Sequence, residues 1–207
     1  INLSNWTFDI GTGAPSFKEY GISSPYFIPK DFPNDNFSVR WEGQIKIDQS
    51  SNYTFYTVSD DGVRLFIDGK NIINNWQAQP ATENKGSIAL MGDKTYPMVI
   101  EYFEDSGGEA MILGWESENF NKRLITSANL TTKDGKPGLK GTYYRNKTLK
   151  SSKNKKPLTR IDKELNWVTG GGWGNNEAQY YTDDSKNVRV QNGKLIIEAL
   201  KEDFYGS

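Results

Sequence analysis

Phe37-Ser38-Val39-Arg40-Trp41-Glu42-Gly43-Gln44-Ile45-Lys46-Ile47 carries apolar or small residues at its odd positions and polar ones at its even positions. Successive side chains of an extended chain point to opposite faces, so this run predicts a strand with one buried face. The alternation returns at Val63, Leu65 and Ile67. Working outward, Tyr53 to Val58, Met98 to Phe103 and Met111 to Trp115 are β-branched and aromatic runs bounded by Gly, Asn, Asp or Ser. No segment sustains a helical stripe. The expected fold class is all-β, an antiparallel β-sandwich of short strands.

Composition narrows the chemistry. Over 207 residues, 25 Lys and Arg against 26 Asp and Glu leave a net charge of −1, which argues against a nucleic-acid or polyanion binder. The chain contains neither His nor Cys. That removes Ser-His-Asp and Cys-His catalysis, His- or Cys-ligated zinc, iron–sulfur clusters and disulfides, so any metal must be held by oxygen. Six Trp, eleven Tyr and ten Phe sit in a chain only 35% hydrophobic, so much of the ring surface must fill a small core or serve as contact surface, a profile common among sugar-binding proteins. No apolar run approaches the roughly 18 residues of a membrane span, and Ile1-Asn2-Leu3-Ser4 lacks signal-peptide character. The chain is expected to be soluble or part of something larger.

Val188 to Ile197 is a hairpin signal, with Asn192-Gly193 supplying the two positive-φ residues of a type I′ turn. Gly135, Pro137 and Gly138 mark a linker, and the segment 133–163 has a net charge of +9, leaving −10 for the remainder. A solvated loop at Lys147 to Lys156 is the expected reading of that charge, and a patch for an anionic polymer the alternative.

Three groups of residues could carry chemistry. Ser59-Asp60-Asp61-Gly62 leaves one strand run and enters the next. Adjacent carboxylates at a loop tip repel unless a cation lies between them, and calcium is the natural hard, oxygen-ligated candidate, with Asp105 in Glu104-Asp105-Ser106-Gly107-Gly108 as a second-loop ligand. Spacing alone favours a tight turn in which Asp60, Asp61 and Gly62 are held by Asx hydrogen bonds. Asn74, Asn75 and Trp76 form a set suited to hydrogen-bonding hydroxyls while a ring stacks on a sugar face, although Trp76 also fits as a lid over the core. Glu101 with Glu104, and Glu116 with Glu118, are the close carboxylate pairs, and both read as solvated surface groups without the apolar setting of a hydrolytic acid.

The runs Asn36 to Ile45, Tyr53-Thr54-Phe55 and Ser59 to Gly69 closely resemble the protective-antigen (PA-fourteen) domain, a β-sandwich family of bacterial toxins, glycosidases and yeast adhesins. The family's opening strand is similar to Gly138-Leu139-Lys140-Gly141-Thr142-Tyr143-Tyr144, which here follows the rest of the domain. The resemblance implies either a circularly permuted domain or two partial copies. Ile1 to Gly13, and then Gly170 to Thr182 with Asn187 to Ala199, resemble the N-terminal part of a glycoside hydrolase family 16 β-glucanase of the laminarinase or lichenase kind. The implied organisation is a glucanase segment over 1–13, a protective-antigen-type domain over 14–168 and the glucanase resumed over 169–207.

In sugar-binding family members, an Asp-Asp pair joined by a cis peptide ligates calcium, and Asp60 and Asp61 match it. The resemblance therefore implies a calcium-dependent carbohydrate-binding module, inserted in a secreted or cell-surface bacterial β-1,3(4)-glucanase, with polysaccharide (β-glucan) and the rest of the parent hydrolase as partners and no nucleic acid or membrane span. The catalytic Glu-x-Asp-x-x-Glu run of family 16 is absent from these 207 residues, so this chain alone is not expected to be an enzyme. A structural spacer or protein-interaction domain without a glycan site is the alternative. The isolated hairpin near the C-terminal end, marginal by itself in water, is expected to be disordered, docked on the sandwich, or paired with another copy.

Overall fold

The computed structural model describes residues 32–33, 35–151, 153 and 155–168, together with the backbone of 8–9, 188–191 and 194–197. The expected matches over Gly170 to Thr182 and most of 1–13, and the turn Asn192-Gly193, lie outside the described residues.

Among the described residues every regular element is a strand: β1 Phe8–Asp9, β2 Phe37–Ile47, β3 Ser51–Asp60, β4 Gly62–Ile67, β5 Lys70–Asn75, β6 Thr82–Leu90, β7 Lys94–Glu104, β8 Ala110–Ser117, β9 Phe120–Leu124, β10 Leu130–Thr131, β11 Leu139–Tyr144, β12 Leu158–Asp162, β13 Asn166–Val168, β14 Val188–Gln191 and β15 Lys194–Ile197. One sheet runs β12-β11-β2-β7-β4-β5 with β10 also on β2, and the other runs β13-β8-β3-β6 with β9 on β8. All pairings are antiparallel. This is the expected two-sheet sandwich. No helix among the described residues is long and apolar enough to cross a membrane.

The period-two reading of β2 holds residue by residue. Phe37, Val39, Trp41, Gly43, Ile45 and Ile47 are all buried, and the intervening residues are more exposed except Ser38. Ser38 Oγ donates to the Asn146 carbonyl at 2.6 Å and accepts from Leu149 N–H at 3.1 Å, which satisfies a hydroxyl buried under the 145–150 loop. The β4–β5 hairpin closes through Asp68 (φ 51°) and Gly69 (φ 75°), the positive pair that a two-residue turn requires.

Aromatic rings fill the space between the sheets. Trp41, Tyr102, Tyr143 and Phe55 are among the largest fully buried side chains. Trp41 meets Tyr143 edge-on at 6.1 Å and Tyr102 at 6.2 Å. Removing such a ring costs about 3–5 kcal/mol.

β11 lies in the same sheet as β2, with Gly141 opposite Trp41, so the strand at 139–144 completes the sandwich begun a hundred residues earlier. The hairpin β14–β15 forms with Gln191 opposite Lys194, the register a two-residue turn demands. It acquires a third strand: β1 pairs with β15, Phe8 opposite Leu195. None of the three outcomes expected for this hairpin named the N-terminal segment, but β1 also lies against β9, so the small sheet touches the sandwich. Backbone hydrogen bonding across nearly the full length of the chain supplies the missing sheet partner.

Candidate metal centre

β3 ends at Asp60 and β4 begins at Gly62, and the Asp60–Asp61 peptide bond between them is cis. Gly62 is required by packing: a Cβ there would lie 2.2 Å from Phe103 Cε1. The Phe103 ring meets Trp76 edge-on at 4.8 Å, and the Arg64 guanidinium covers Trp76 at 4.0 Å.

The two aspartates are held by main-chain donors. Asp61 Oδ1 accepts from Gln79 N–H at 2.9 Å and Oδ2 from Asp105 N–H at 2.7 Å, while Asp60 Oδ2 accepts from Ala81 N–H at 3.1 Å. The 79–81 loop is itself pinned. Gln79 Nε2 donates to Ser59 Oγ and to the Asp61 carbonyl, both at 3.1 Å, and Asn75 Nδ2 donates to Gln79 Oε1 and to Asn84 Oδ1.

A third carboxylate joins them. Glu104, the last residue of β7, is fully buried and shares with Asp60 and Asp61 a set of oxygens all within 4.8 Å of one another. Its Oε2 contacts the Tyr102 hydroxyl at 2.8 Å, and the same hydroxyl donates to the Asp60 carbonyl. Glu104 Oε1 is buried with no hydrogen-bond partner. Burial, with Asp61, Glu109 and Asp60 nearby, pushes the Glu104 carboxyl up to about 9 against the pull of Tyr102. Burial and then the Asp61 charge push Asp60 up to about 6.

The donor set fits a hard cation. Oxygens sharing one calcium at about 2.3–2.6 Å can lie no more than roughly 5 Å apart, which these do. A buried carboxylate oxygen without a donor is costly unless a cation or a proton meets it.

Of the residues anticipated from sequence, Asp60 and Asp61 are brought together at this centre. Asp105 contributes its N–H, while its carboxylate turns to Lys147 Nζ at 2.5 Å. Asn75 belongs to the network that holds Gln79, Asn74 is exposed on β5, and Trp76 follows directly after it, partly exposed. Two readings need correction. Glu101 is not a solvated surface group: it is buried, bonded by Arg40 and by Arg64 at 2.6 Å, because β2 and β4 place both arginines opposite it. Glu104 is buried as well. Its signal was the phase of β7, since Met98, Ile100 and Tyr102 occupy the buried face two residues apart and Glu104 continues that series.

The PA14 domain family pattern matches residues 22–128. The chain belongs to the PA14 domain family. Over 77% of its length this PA14 chain is 36% identical to the anti-sigma-I factor RsgI3 of Acetivibrio thermocellus, of which it spans 23%. It is 32% identical to a solved anti-sigma factor domain-containing protein from Clostridium clariflavum, covering 69% of this chain and 50% of that one with a TM-score of 0.49. A PA14 sugar-binding domain from an RTX adhesin aligns at 19% identity over 47% of this chain and 55% of that one, with a TM-score of 0.43. The chain thus spans half or less of the length of the two anti-sigma relatives. The anti-sigma relatives cover 77% and 69% of it, and the protective antigen of Bacillus anthracis, 27% identical, covers 62%, whereas the flanking segments led to the expectation of a β-glucanase.

Proposed function

We propose that this PA14 domain is a calcium-assisted carbohydrate-binding module. The observation that carries the reading is the convergence of Asp60, Asp61 and Glu104, with Glu104 Oε1 lacking any protein partner. Bound there, the ion would offer a fixed positive charge that sugar hydroxyls can ligate. The 79–81 and 104–105 main chains orient the aspartates, and Tyr102 orients Glu104 from beneath. Trp76, braced by Phe103 and Arg64, and exposed Asn74 supply a ring and an amide for the sugar. Titration calorimetry with β-1,3- and mixed-linkage gluco-oligosaccharides, in calcium and again in chelator, tests this. Saccharide heat that vanishes with chelator is expected, and its persistence would take the ion out of the binding site.

The module's setting belongs to the same proposal: a permuted sandwich inserted into a secreted β-1,3(4)-glucanase. Support comes from β1 pairing with β15, which joins the two glucanase-like flanks in one small sheet, and from β11 completing the sandwich next to β2. The identity with anti-sigma-I factor RsgI3 favours a second setting, in which the sandwich is the ligand-reading part of a regulatory protein. The full reading frame discriminates between them. A Glu-x-Asp-x-x-Glu run downstream of residue 207 supports the glucanase, and its absence supports the regulator.

A further inference from the structure

At the other end of β3 lies a second pocket of about 250 Å³. Tyr53 stands seven residues before Asp60 on the same strand, which at about 3.3 Å per residue separates the pocket from the carboxylates by roughly 23 Å. Its walls are aromatic. Tyr53 and Trp115 stack at 5.4 Å and 24°, and Phe120 closes on Trp115 at 5.1 Å. Trp115 is 2% exposed, and its Nε1–H is buried without an acceptor. An indole N–H so placed costs free energy unless a water or ligand oxygen meets it.

The rim is polar and balanced. Asp48 is paired with Lys46 at 2.8 Å, and the Arg123 guanidinium lies over Phe120 at 3.9 Å. Asn119 and Asn129 bring amide side chains to the same opening. The rim thus offers a carboxylate paired with Lys46 and an arginine packed on Phe120, with no excess of either charge among these residues. The two amides and the orphaned N–H suit a ligand that carries hydroxyls, against aromatic walls.

We propose that this pocket is a second, cation-independent seat for a neutral hydroxylated ring, a single sugar residue of a longer glycan. It shares the ligand class of the function proposed above but not its site, so the two stand or fall separately. The test is a ¹⁵N correlation spectrum of the 207-residue chain in chelator, titrated with laminarihexaose and with cellohexaose. The Trp115 indole cross-peak is identified by its loss in Trp115→Phe, or by through-bond assignment if that variant does not fold. Saturable displacement of this peak by at least one oligosaccharide is expected, weakened roughly fivefold for each rim hydrogen bond removed in Asn119→Ala and Arg123→Ala. A Trp115 peak unmoved by both sugars overturns the proposal, as does displacement that the rim variants leave undiminished. Calcium-dependent sugar heat with an unmoved Trp115 peak would retain the first site alone.

Discussion

Asp105 donates its main-chain N–H to Asp61 Oδ2 at 2.7 Å while its own carboxylate pairs with Lys147 at 2.5 Å. The residue therefore acts on the acidic centre through its backbone. A side chain committed to Lys147 leaves Glu104, one position earlier, as the carboxylate that faces Asp60 and Asp61.

Asp105→Ala should therefore leave calcium affinity within about threefold of the parent, since the N–H survives and only a half-exposed ion pair is lost. Glu104→Gln should weaken it by at least tenfold. Calorimetric titration of calcium into the two variants compares them directly, and the reverse order would restore Asp105 as the ligand.

Ion binding should raise thermal stability. A ligand at a hundred times its Kd stabilises by about 2.7 kcal/mol, which for a sandwich of this size is roughly 5–12 °C in Tm. Scanning calorimetry in calcium and in chelator reads the difference, and Asp61→Ala should abolish it. Equal melting temperatures for the parent in both buffers would count against the centre.

The ion-free protein should lose stability as pH rises. Glu104 keeps a proton up to about 9 in the fold, against 4.5 in the unfolded chain, and Asp60 up to about 6 against 3.8. Between those limits the native state binds more protons than the unfolded state, so the favourable contribution is complete at acid pH and disappears through the folded values. Urea midpoints in chelator should fall between pH 5 and pH 9, with Glu104→Gln flattening most of the decline. Calcium affinity should rise over the same range, because the ion displaces those protons. A midpoint that climbs in chelator between pH 5 and pH 9 would falsify the assignment.

Asp162 ties the late strands to the core. Its Oδ2 accepts from Trp41 Nε1 at 2.7 Å and from the Tyr143 hydroxyl at 2.6 Å, and its Oδ1 pairs with Arg160 at 2.6 Å. Asp162→Ala strips the Trp41 N–H and the Tyr143 hydroxyl of their acceptor, while Arg160 keeps the Tyr143 oxygen, and should cost about 3 kcal/mol in urea unfolding, with Asp162→Asn costing less because one acceptor oxygen remains. Calcium affinity should be unchanged in both.

Much of the fold was legible locally. The phase of Phe37 to Ile47 named the buried face of β2 correctly, the alternation at Val63 did the same for β4, and the strands containing Met98 and Met111 followed from their β-branched and aromatic runs. β6 was not legible. Thr82 to Leu90 is mostly polar, exposed at every second position and partly covered at the others, so its pairing with β3 comes from the sheet edge and not from its own hydrophobicity. Asp60 and Asp61 were visible as adjacent carboxylates at a strand end, whereas Gln79 and Ala81 reach them only because β5 and β6 bring the 76–81 loop across that end.

Alternation along single strands carries the sandwich class, because a two-residue period is a property of the backbone and shows in any linear reading. The charge state and company of a carboxylate are not. Glu101 and Glu104 sit three residues apart on one strand in similar sequence surroundings, yet one meets Arg40 and Arg64 from the neighbouring strands and the other meets Asp60, Asp61 and Tyr102. Desolvation and electrostatics depend on distance through space, so only the assembled sheets could make one an ion-pair partner and the other a buried acid beside two more carboxyls.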